Sequence, residues 1–429
     1  MSFMAIDDTY PWDLASAPPP IGDHSLAKHE VLEQYLCRYV EVVTANVAKD
    51  HLKITLVDAF SGGGMYTKST GELHMGSPLR MIHAMKAAEI AANGRREKPF
   101  RLDVAFLFLD KNPATLEYLR KTVREDRFGH EYLSQDKVEF IAGSFDEKFE
   151  SIMKFIDSRK GKRRSIFLLD QYGYTDVPLP LLREIFTRFE KAEVMLTFMT
   201  DWLLDFFSGK NQLTRELLGR MNLHHLQREF EVLINEKQRH THEWRRAAQS
   251  LLYKDLCEGS GASFFTPFFI RTADAHKDYW FVHLSGHERA RDEMAKLHWS
   301  IQNRFIHYGK AGFSMLGYDP GEDPRCTRQP EFNFGDADRQ ASQDLLMMEI
   351  PKRIEEFGGG ISFASFFRRV CNDTPSTEGY MKDVISTLSI EGDLEIVSSA
   401  GTKRLPGVKI KGTDIIRLPQ QTRLFNRKF

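Results

Sequence analysis

A short segment near the start of the chain restricts the choice of fold more than any other. Residues 54–57 are apolar or β-branched, Asp58 follows them, and residues 62–64 are all glycine. An apolar run bounded by a turn signal predicts a buried strand. Because glycine lacks a Cβ, the backbone of this turn can lie close to a ligand. Asp58 is then expected at the carboxyl end of the strand, where open α/β sheets bind their ligands.

The rest of the first half of the chain predicts a parallel sheet. Helix-length segments separate the apolar runs, and two of them begin with a polar cap and a proline, near Ser77 and Asn112. Such alternation favours parallel strands joined by right-handed crossovers. A helix over residues 24–49 is predicted before the first strand, after an extended, proline-rich arm of residues 1–24. The predicted strands are residues 54–59, 104–109, 138–142, 165–169 and 194–199.

The remainder of this α/β domain, predicted to span residues 25–317, departs from simple alternation. Residues 201–262 are rich in Leu, Arg and Glu and are too long for one crossover helix, which predicts a helical insertion. Residues 268–272 and 279–284 then predict a β-hairpin, and residues 288–305 predict a helix.

The C-terminal region predicts a second, smaller domain over residues 344–429, after a polar linker of residues 318–343. Its helices are predicted over residues 345–356, over residues 363–371 and after Ser376 or Thr377. Two strands, residues 394–397 and 415–418, flank a basic loop, and this order is typical of a winged helix. The basic wing carries Lys403, Arg404, Lys409 and Lys411, and contact with nucleic acid and docking of a protein are both open.

Composition restricts the function classes. The 429 residues have a formal net charge of −1, so any nucleic-acid contact should be local, as at the basic cluster of residues 159–164, for which a solvated loop is the alternative. No run approaches about 18 apolar residues and no leader is evident, which predicts a cytoplasmic protein that does not enter membranes. Neither the cysteines nor His240 and His242 have ligand spacing, so no metal site is predicted. The cysteines are Cys37, Cys257, Cys326 and Cys371.

The ends of the next two predicted strands carry groups suited to a nucleoside. Asp110 ends the second strand, where a carboxylate can accept hydrogen bonds from both hydroxyls of a ribose, or can cap a helix. Ser144 and Phe145 follow the third strand, where a hydroxyl and a ring can contact adenine, with ordinary turn and core roles as the alternative. Lys28 and His29 of the first helix are expected on a solvated face, although they could close over a cofactor.

The fourth strand ends in Asp170-Gln171-Tyr172-Gly173, which resembles the Asp-Pro-Pro-Tyr motif of amine-methylating enzymes and the Asp-Pro-Tyr-Gly variant of some RNA methyltransferases. The amine of a nucleobase is a poor nucleophile because its lone pair is delocalised into the ring. A carboxylate and a main-chain carbonyl that accept its two N–H groups favour a pyramidal nitrogen. Asp170 and the Gln171 carbonyl are candidates for these roles, and Tyr172 could stack on an extruded base. Because Gln171 replaces the usual proline, the turn is expected to be less rigid.

Together these motifs resemble the three-Cys-motif partner (TcmP) family over residues 24–320, and the C-terminal region is similar to a winged-helix module found in some members. The matching segments are residues 24–36, 57–64, 76–78, 109–113, 169–173, 279–285 and 307–319. The resemblance implies a Rossmann-like class I methyltransferase sheet and S-adenosylmethionine as cofactor. It also implies a partner, a three-Cys-motif protein of iron–sulfur or radical type encoded nearby. The predicted cofactor-binding residues are Asp58, Ala59, Phe60, Gly62, Gly64, Asp110, Lys111, Ser144 and Phe145.

The sequence therefore predicts a methyltransferase that acts on the exocyclic amine of a nucleobase in RNA or DNA, with Asp170, Gln171 and Tyr172 at the acceptor. The alternative is a non-catalytic or cofactor-binding subunit that docks the three-Cys-motif protein.

Overall fold

A computed structural model describes most of the chain in two compact units, Met1–Ile306 and His307–Phe429. The boundary therefore lies before the predicted linker. The described residues are 12–14, 16–171, 176–199, 219, 255–271, 278–301, 305–306, 312–313, 335–405 and 407–419.

The first unit is built on strands and helices that follow one another as the sequence pattern predicts. The strands are β1 (His51–Asp58), β2 (Met65–Thr67), β3 (Leu73–Met75), β4 (Arg101–Asp110), β5 (Val138–Ala142), β6 (Ser165–Leu169), β7 (Ala192–Met199), β8 (Phe264–Arg271), β9 (Asp278–Ser285) and β10 (Phe305–Ile306). The helices are α1 (Asp23–Val43), α2 (Ser77–Asn93), α3 (Pro113–Glu125), α4 (Arg127–Ser134), α5 (Phe145–Ser158), α6 (Leu179–Arg188) and α7 (Glu288–Ile301).

The main sheet has the strand order β10-β8-β9-β7-β6-β1-β4-β5. The five strands β5, β4, β1, β6 and β7 pair in parallel, and β9 lies antiparallel between β7 and β8. Five parallel strands with a late hairpin at one side form the Rossmann-like sheet of class I methyltransferases, so the predicted fold class is confirmed. The central parallel strands are buried on both faces, as β1 shows with Ile54, Leu56 and Val57 at most 1% exposed.

Several boundaries differ from the sequence prediction for local reasons. The first helix ends at Val43, where Thr44 leaves the helical conformation (φ −107°, ψ 9°) and its hydroxyl donates a hydrogen bond of 2.6 Å to the Val40 carbonyl. The glycine turn leads into an unpredicted hairpin, β2–β3, before α2 begins. The Asn112 side chain caps α3 as predicted, by accepting a hydrogen bond from the Ala114 N–H. Of the predicted insertion, only Gly219 and residues 255–262 are among the described residues.

The second unit has the complete order of a winged helix. Helix α8 already begins at Asp336, within the predicted linker, and the short strand β11 was not predicted. Gly358 and Gly359 have φ values of 91° and 79°, which explains why glycine closes this helix. The elements are α8 (Asp336–Glu356), β11 (Gly360–Ser362), α9 (Phe363–Val370), a 3₁₀ turn (Cys371–Asp373), α10 (Glu378–Glu391), β12 (Glu395–Val397) and β13 (Ile415–Arg417), with the sheet order β11-β13-β12.

The basic cluster of residues 159–164 precedes β6 and therefore lies at the amino edge of the sheet, opposite the carboxyl ends of the strands. The Arg159 guanidinium donates hydrogen bonds to the main-chain carbonyls of Ile54 and Asp103 and to the Asp103 carboxylate, at 2.9 to 3.0 Å. Arg159 thus fastens β1 to β4 and is not available to a phosphate. Lys160 and Lys162 remain exposed.

Replacing Arg159 should test this structural role. In Arg159→Ala, three acceptors lose their donor, and we expect the free energy of unfolding to fall by about 2–3 kcal/mol. The exposed Lys162→Ala variant of the same cluster should stay within about 0.5 kcal/mol of the wild type. Urea unfolding followed by circular dichroism measures both, and equal losses in the two variants would contradict the assignment.

Candidate functional site at the carboxyl edge of the sheet

Three predicted acids meet at one edge of the sheet. Asp58 ends β1, Asp110 ends β4 and Asp170 follows β6, and β1 lies between the other two strands. Parallel strands direct their carboxyl ends to the same edge, so the three carboxylates come together there. They are near enough that Asp170 and Asp110 both raise the pKa of Asp58.

Asp58 is the most deeply buried of these acids. Its exposed fraction is 0%, Oδ1 accepts a hydrogen bond of 3.2 Å from the Phe60 N–H, and Oδ2 has no hydrogen-bond partner among the described residues. Burial raises the pKa of Asp58 to about 7, although the Ser77 hydroxyl and the Phe60 N–H oppose the shift. A buried carboxylate oxygen without a donor is costly, and a cationic ligand would supply one.

The glycine turn is held against Asp110. The Gly62 N–H donates to Asp110 Oδ2 at 3.2 Å, while the Asn112 N–H donates to Oδ1 at 2.8 Å. Gly62 and Gly64 have φ values of 57° and 80°, a region that favours glycine. The Gly64 carbonyl accepts a hydrogen bond from the Gly76 N–H, which joins the turn to the start of α2. The glycine turn, Asp110 and the N-terminus of α2 are therefore adjacent.

Asp170 is paired with a lysine that the sequence analysis placed on a solvated face. Lys28 of α1 is only 6% exposed, and its Nζ lies 2.5 Å from Asp170 Oδ1. Burial would raise the pKa of Asp170, but the Lys28 ammonium, together with the Thr197 hydroxyl and His29, outweighs burial and the pKa is lowered. The expectation for Lys28 was wrong because the apolar stripe of α1 continues past it into the edge of the sheet, where Asp170 supplies a partner.

Two stacked histidines lie beside this ion pair. His29 of α1 and His74 of β3 have ring centroids 5.5 Å apart, with His29 Nδ1 and His74 Nε2 separated by 3.2 Å. Burial, reinforced by the Arg80 guanidinium, lowers the pKa of His29 to about 3 and that of His74 to about 4. Both rings are therefore neutral near neutral pH. The sequence expectation of a solvated His29 was also wrong, since its side chain is buried.

Gln171, which stands where proline is usual, links the end of β6 to the residues before α6. Its side chain is buried, and Oε1 accepts hydrogen bonds of 3.1 Å from the N–H groups of Asp176 and Val177. These two bonds tie together the ends of the loop after β6. Tyr172, predicted to stack on the acceptor base, lies outside the described residues.

The other predicted residues divide between the edge of the sheet and the fold itself. Ala59 is buried, and Phe60 contributes the N–H bound by Asp58. Lys111 is half-exposed and pairs with Asp176 at 2.9 Å. Ser144 forms a capping box with Glu147 at the start of α5, which is the turn role left open by the sequence.

Phe145 has the core role that the sequence left open. Its ring is 1% exposed and packs edge-on against Phe149. A ring enclosed to this degree has no free face for adenine, so we exclude Phe145 from the cofactor site proposed below.

Trp12 and Ser61 belong to this edge and were not predicted as site residues. The Ser61 hydroxyl and N–H both donate to the Leu109 carbonyl, which fixes the glycine turn to β4. Trp12, from the arm before α1, lies over the glycine turn and donates from Nε1 to the Met65 carbonyl at 3.0 Å. The arm carries no periodic pattern, so the sequence held no signal for this contact.

The basic wing of the second unit is partly neutralised by its own acids. Glu395 pairs with Lys403 at 2.7 Å and with Arg417 at 2.8 Å, while Arg404 pairs with Asp414 at 2.8 Å. The exposed part of the wing is therefore mixed, with cationic and apolar side chains. These are Lys409, Lys411, Leu405 and Val408.

Comparisons with known proteins identify the C-terminal region most directly. A family model described as the GMT-like wHTH domain matches residues 317–401, which agrees with the winged helix of the second unit. No curated protein matches the chain. In the parts of the chain that the structure describes, no helix is long and apolar enough to cross a membrane, and no cluster of three or more His, Cys, Asp or Glu could hold a metal ion.

Among solved structures, the chain is similar to protein LPL1258 of Legionella pneumophila, with 11% identity over 62% of this chain and 85% of that one and a TM-score of 0.34. A human methyltransferase 10 domain containing protein has 8% identity over 60% and 83% of the two chains, with a TM-score of 0.23. An assigned S-adenosylmethionine-dependent methyltransferase of Methanococcus maripaludis has 11% identity over 61% and 91%, also with a TM-score of 0.23. At these scores the similarity carries no argument about function, which has to be inferred from the site.

The buried Asp58 predicts a particular dependence of stability on pH. Because the pKa is raised from about 3.9 in the unfolded chain to about 7, the folded state binds the extra proton between these values. The free energy of unfolding should therefore fall as the pH rises from about 4 to about 7, by up to about 4 kcal/mol from this group. Asp58→Asn should remove that part of the slope in denaturant titrations, and an equally steep fall in the variant would contradict the assignment.

Proposed function

We propose that the first unit is a methyltransferase that binds S-adenosylmethionine at the carboxyl edge of its sheet and methylates an exocyclic amine of a nucleobase in RNA or DNA. The observation that carries this proposal is the fully buried Asp58, whose Oδ2 has no hydrogen-bond partner in the part of the chain that the structure describes, beside the glycine turn held by Asp110. A cationic, ribose-bearing ligand matches both features.

The residues present fit this cofactor. Its methionine ammonium would pair with Asp58 and lower the pKa of that carboxyl, and its ribose hydroxyls would donate to Asp110. The methionine carboxylate suits the N-terminus of α2, whose first turn contains Ser77 and no acid. Gly62 and Gly64, with Ala59 and Phe60, would form the wall along which the cofactor lies, and Lys111 would stand beside Asp110.

At the acceptor, Asp170 would face the target nucleobase. Lys28 occupies Oδ1 and keeps the carboxylate ionised, which leaves the second oxygen to accept an N–H of the target amine. The Gln171 carbonyl would accept the other N–H, on a loop whose ends the Gln171 side chain ties together. The bound cofactor supplies an electrophilic methyl group. Asp170 would then hold the proton that the methylated nitrogen loses.

The same unit also suits a second function, that of the TcmP-type subunit that docks a three-Cys-motif protein. A groove of about 830 Å³ lies between α1, α2 and α7, lined by charged side chains and five alanines. A subunit with this function would keep the fold and the cofactor site but would not transfer a methyl group. The exposed wing, with Lys409 and Lys411, would contact nucleic acid in the first function and a protein in the second.

Proton release tests the cofactor site directly. At about pH 6, Asp58 with its pKa of about 7 is mostly protonated, so pairing with an ammonium should release close to one proton. Titration calorimetry of S-adenosylmethionine in two buffers of different ionisation enthalpy measures this release. The Asp58→Asn variant should release no proton. NAD, the cofactor that other Rossmann-type sheets bind, should not bind. Absence of S-adenosylmethionine binding to the wild-type protein would refute the proposed cofactor.

Methyl transfer tests the acceptor. With labelled S-adenosylmethionine and total cellular RNA or DNA, Asp170→Asn should lose at least about 100-fold in rate while it binds the cofactor normally, because it loses the anionic acceptor. Equal transfer by this variant would remove Asp170 from the mechanism. Co-purification with the three-Cys-motif protein, with no transfer by the wild type, would favour the second function.

Lys28 provides a matched pair of variants. Lys28→Met leaves the Asp170 carboxyl buried without its cation, so its pKa should rise and the acidic limb of the rate profile should move to higher pH. Lys28→Arg keeps the charge and should retain the wild-type profile. An unchanged profile in Lys28→Met would show that Lys28 does not set the ionisation of Asp170.

A further inference from the structure

The arm before α1 covers the surface that the cofactor needs. Trp12 lies so close to the glycine turn that a Cβ built on Gly63 would be 2.2 Å from Trp12 Cδ1, and one built on Gly62 would be 2.8 Å from Cη2. Its indole Nε1 donates to Met65, and its ring packs edge-on against Tyr66, with centroids 5.4 Å apart. The ring thus lies flat on two glycines that adjoin Asp110.

Gly63 shows that the turn is shaped for a close neighbour. Gly62 and Gly64 have positive φ values, which alone explain glycine there. Gly63 does not have a positive φ, and the neighbour that excludes a side chain there is the Trp12 ring. A surface bare enough to receive an indole ring can receive a nucleoside, but it cannot receive both at once.

The arm is anchored to β2 a few residues after Trp12. Thr67 of β2 donates from its N–H to the Pro19 carbonyl at 2.8 Å and from Oγ1 to the Pro18 carbonyl at 2.9 Å, and it accepts from the Ile21 N–H at 3.0 Å. Three consecutive prolines, residues 18–20, stiffen this anchor. Between the anchor and Trp12, Leu14 and Ser16 are exposed, so a displacement of these two side chains would disturb no packed core.

We propose that Trp12 is a built-in competitor of the cofactor, and that its ring must move off the glycine turn before S-adenosylmethionine binds. The inference rests on the proposed function and adds regulation of the same site. Whatever draws the arm away, such as a docked partner or nucleic acid, would then raise the affinity for the cofactor. A protein whose competent state is about one tenth of the population binds its ligand about tenfold more weakly than that state alone.

Cofactor affinity of arm variants tests the inference. In titration calorimetry of the full chain, Trp12→Ala should bind S-adenosylmethionine on the order of tenfold more tightly than the wild type. Leu14→Ala, in the same segment and 55% exposed, should bind like the wild type. Trp12→Phe keeps a smaller ring and should show an intermediate gain in affinity for S-adenosylmethionine. This variant replaces Trp12→Ala in the test if Trp12→Ala does not fold.

The outcomes separate the two proposals. Equal affinity of wild type and Trp12→Ala would overturn competition, and weaker binding by the variant would make Trp12 part of the cofactor site, which also overturns it. If neither protein binds S-adenosylmethionine, the proposed function itself fails, and the inference fails with it.

Fluorescence gives a second readout. The chain has five tryptophans, and the difference between wild type and Trp12→Phe isolates the emission of Trp12. On addition of S-adenosylmethionine, this emission should shift to the red as the indole leaves the glycine turn for water. A difference spectrum unchanged at saturating cofactor would show that the ring stays in place and would refute the inference.

Discussion

The site depends on the parallel pairing of β1 with β4 on one side and β6 on the other. This pairing places three carboxyl groups at one edge of the sheet, an arrangement that mutual repulsion and burial both oppose. The structure offsets the cost in a different way for each acid. Asp110 accepts two main-chain N–H groups, Asp170 pairs with Lys28, and Asp58 holds a proton up to about pH 7.

α1 has more influence on the site than its position before the sheet suggests. It brings Lys28 and His29 to the carboxyl edge, while farther along it Tyr35 donates to the buried Glu193 of β7 at 2.5 Å. The helix is therefore fixed to the sheet at two places by buried polar contacts, which orient a surface in a way that apolar packing alone does not. These contacts hold α1 in the orientation that places the Lys28 ammonium beside Asp170.

The sequence predicted the fold and the strand-end acids because both depend on local patterns. Apolar runs, caps and turn glycines identify parallel strands, and the carboxyl ends of such strands converge wherever they occur in the chain. It failed for Lys28 and Trp12, whose roles are set by residues more than 40 positions away, Asp170 and the Met65 carbonyl. Phe145 shows the opposite case. Its position after a strand suggested a ligand contact, but the large apolar ring is buried in the core.

The opposite pKa shifts of Asp58 and Asp170 carry the assignment of roles. Both are carboxyls at neighbouring strand ends, yet burial without a cation raises the pKa of one and Lys28 lowers that of the other. A carboxyl that is neutral until a cation arrives suits the binding of a charged cofactor, because ionisation is then coupled to occupancy. A carboxylate that is already ionised suits the recognition of a neutral amine, which brings no charge of its own. Pairs of titratable groups whose environments separate their pKa values divide the work of a site in this way. Under the proposed function, we therefore infer that the cofactor would lie against β1 and the acceptor against β6.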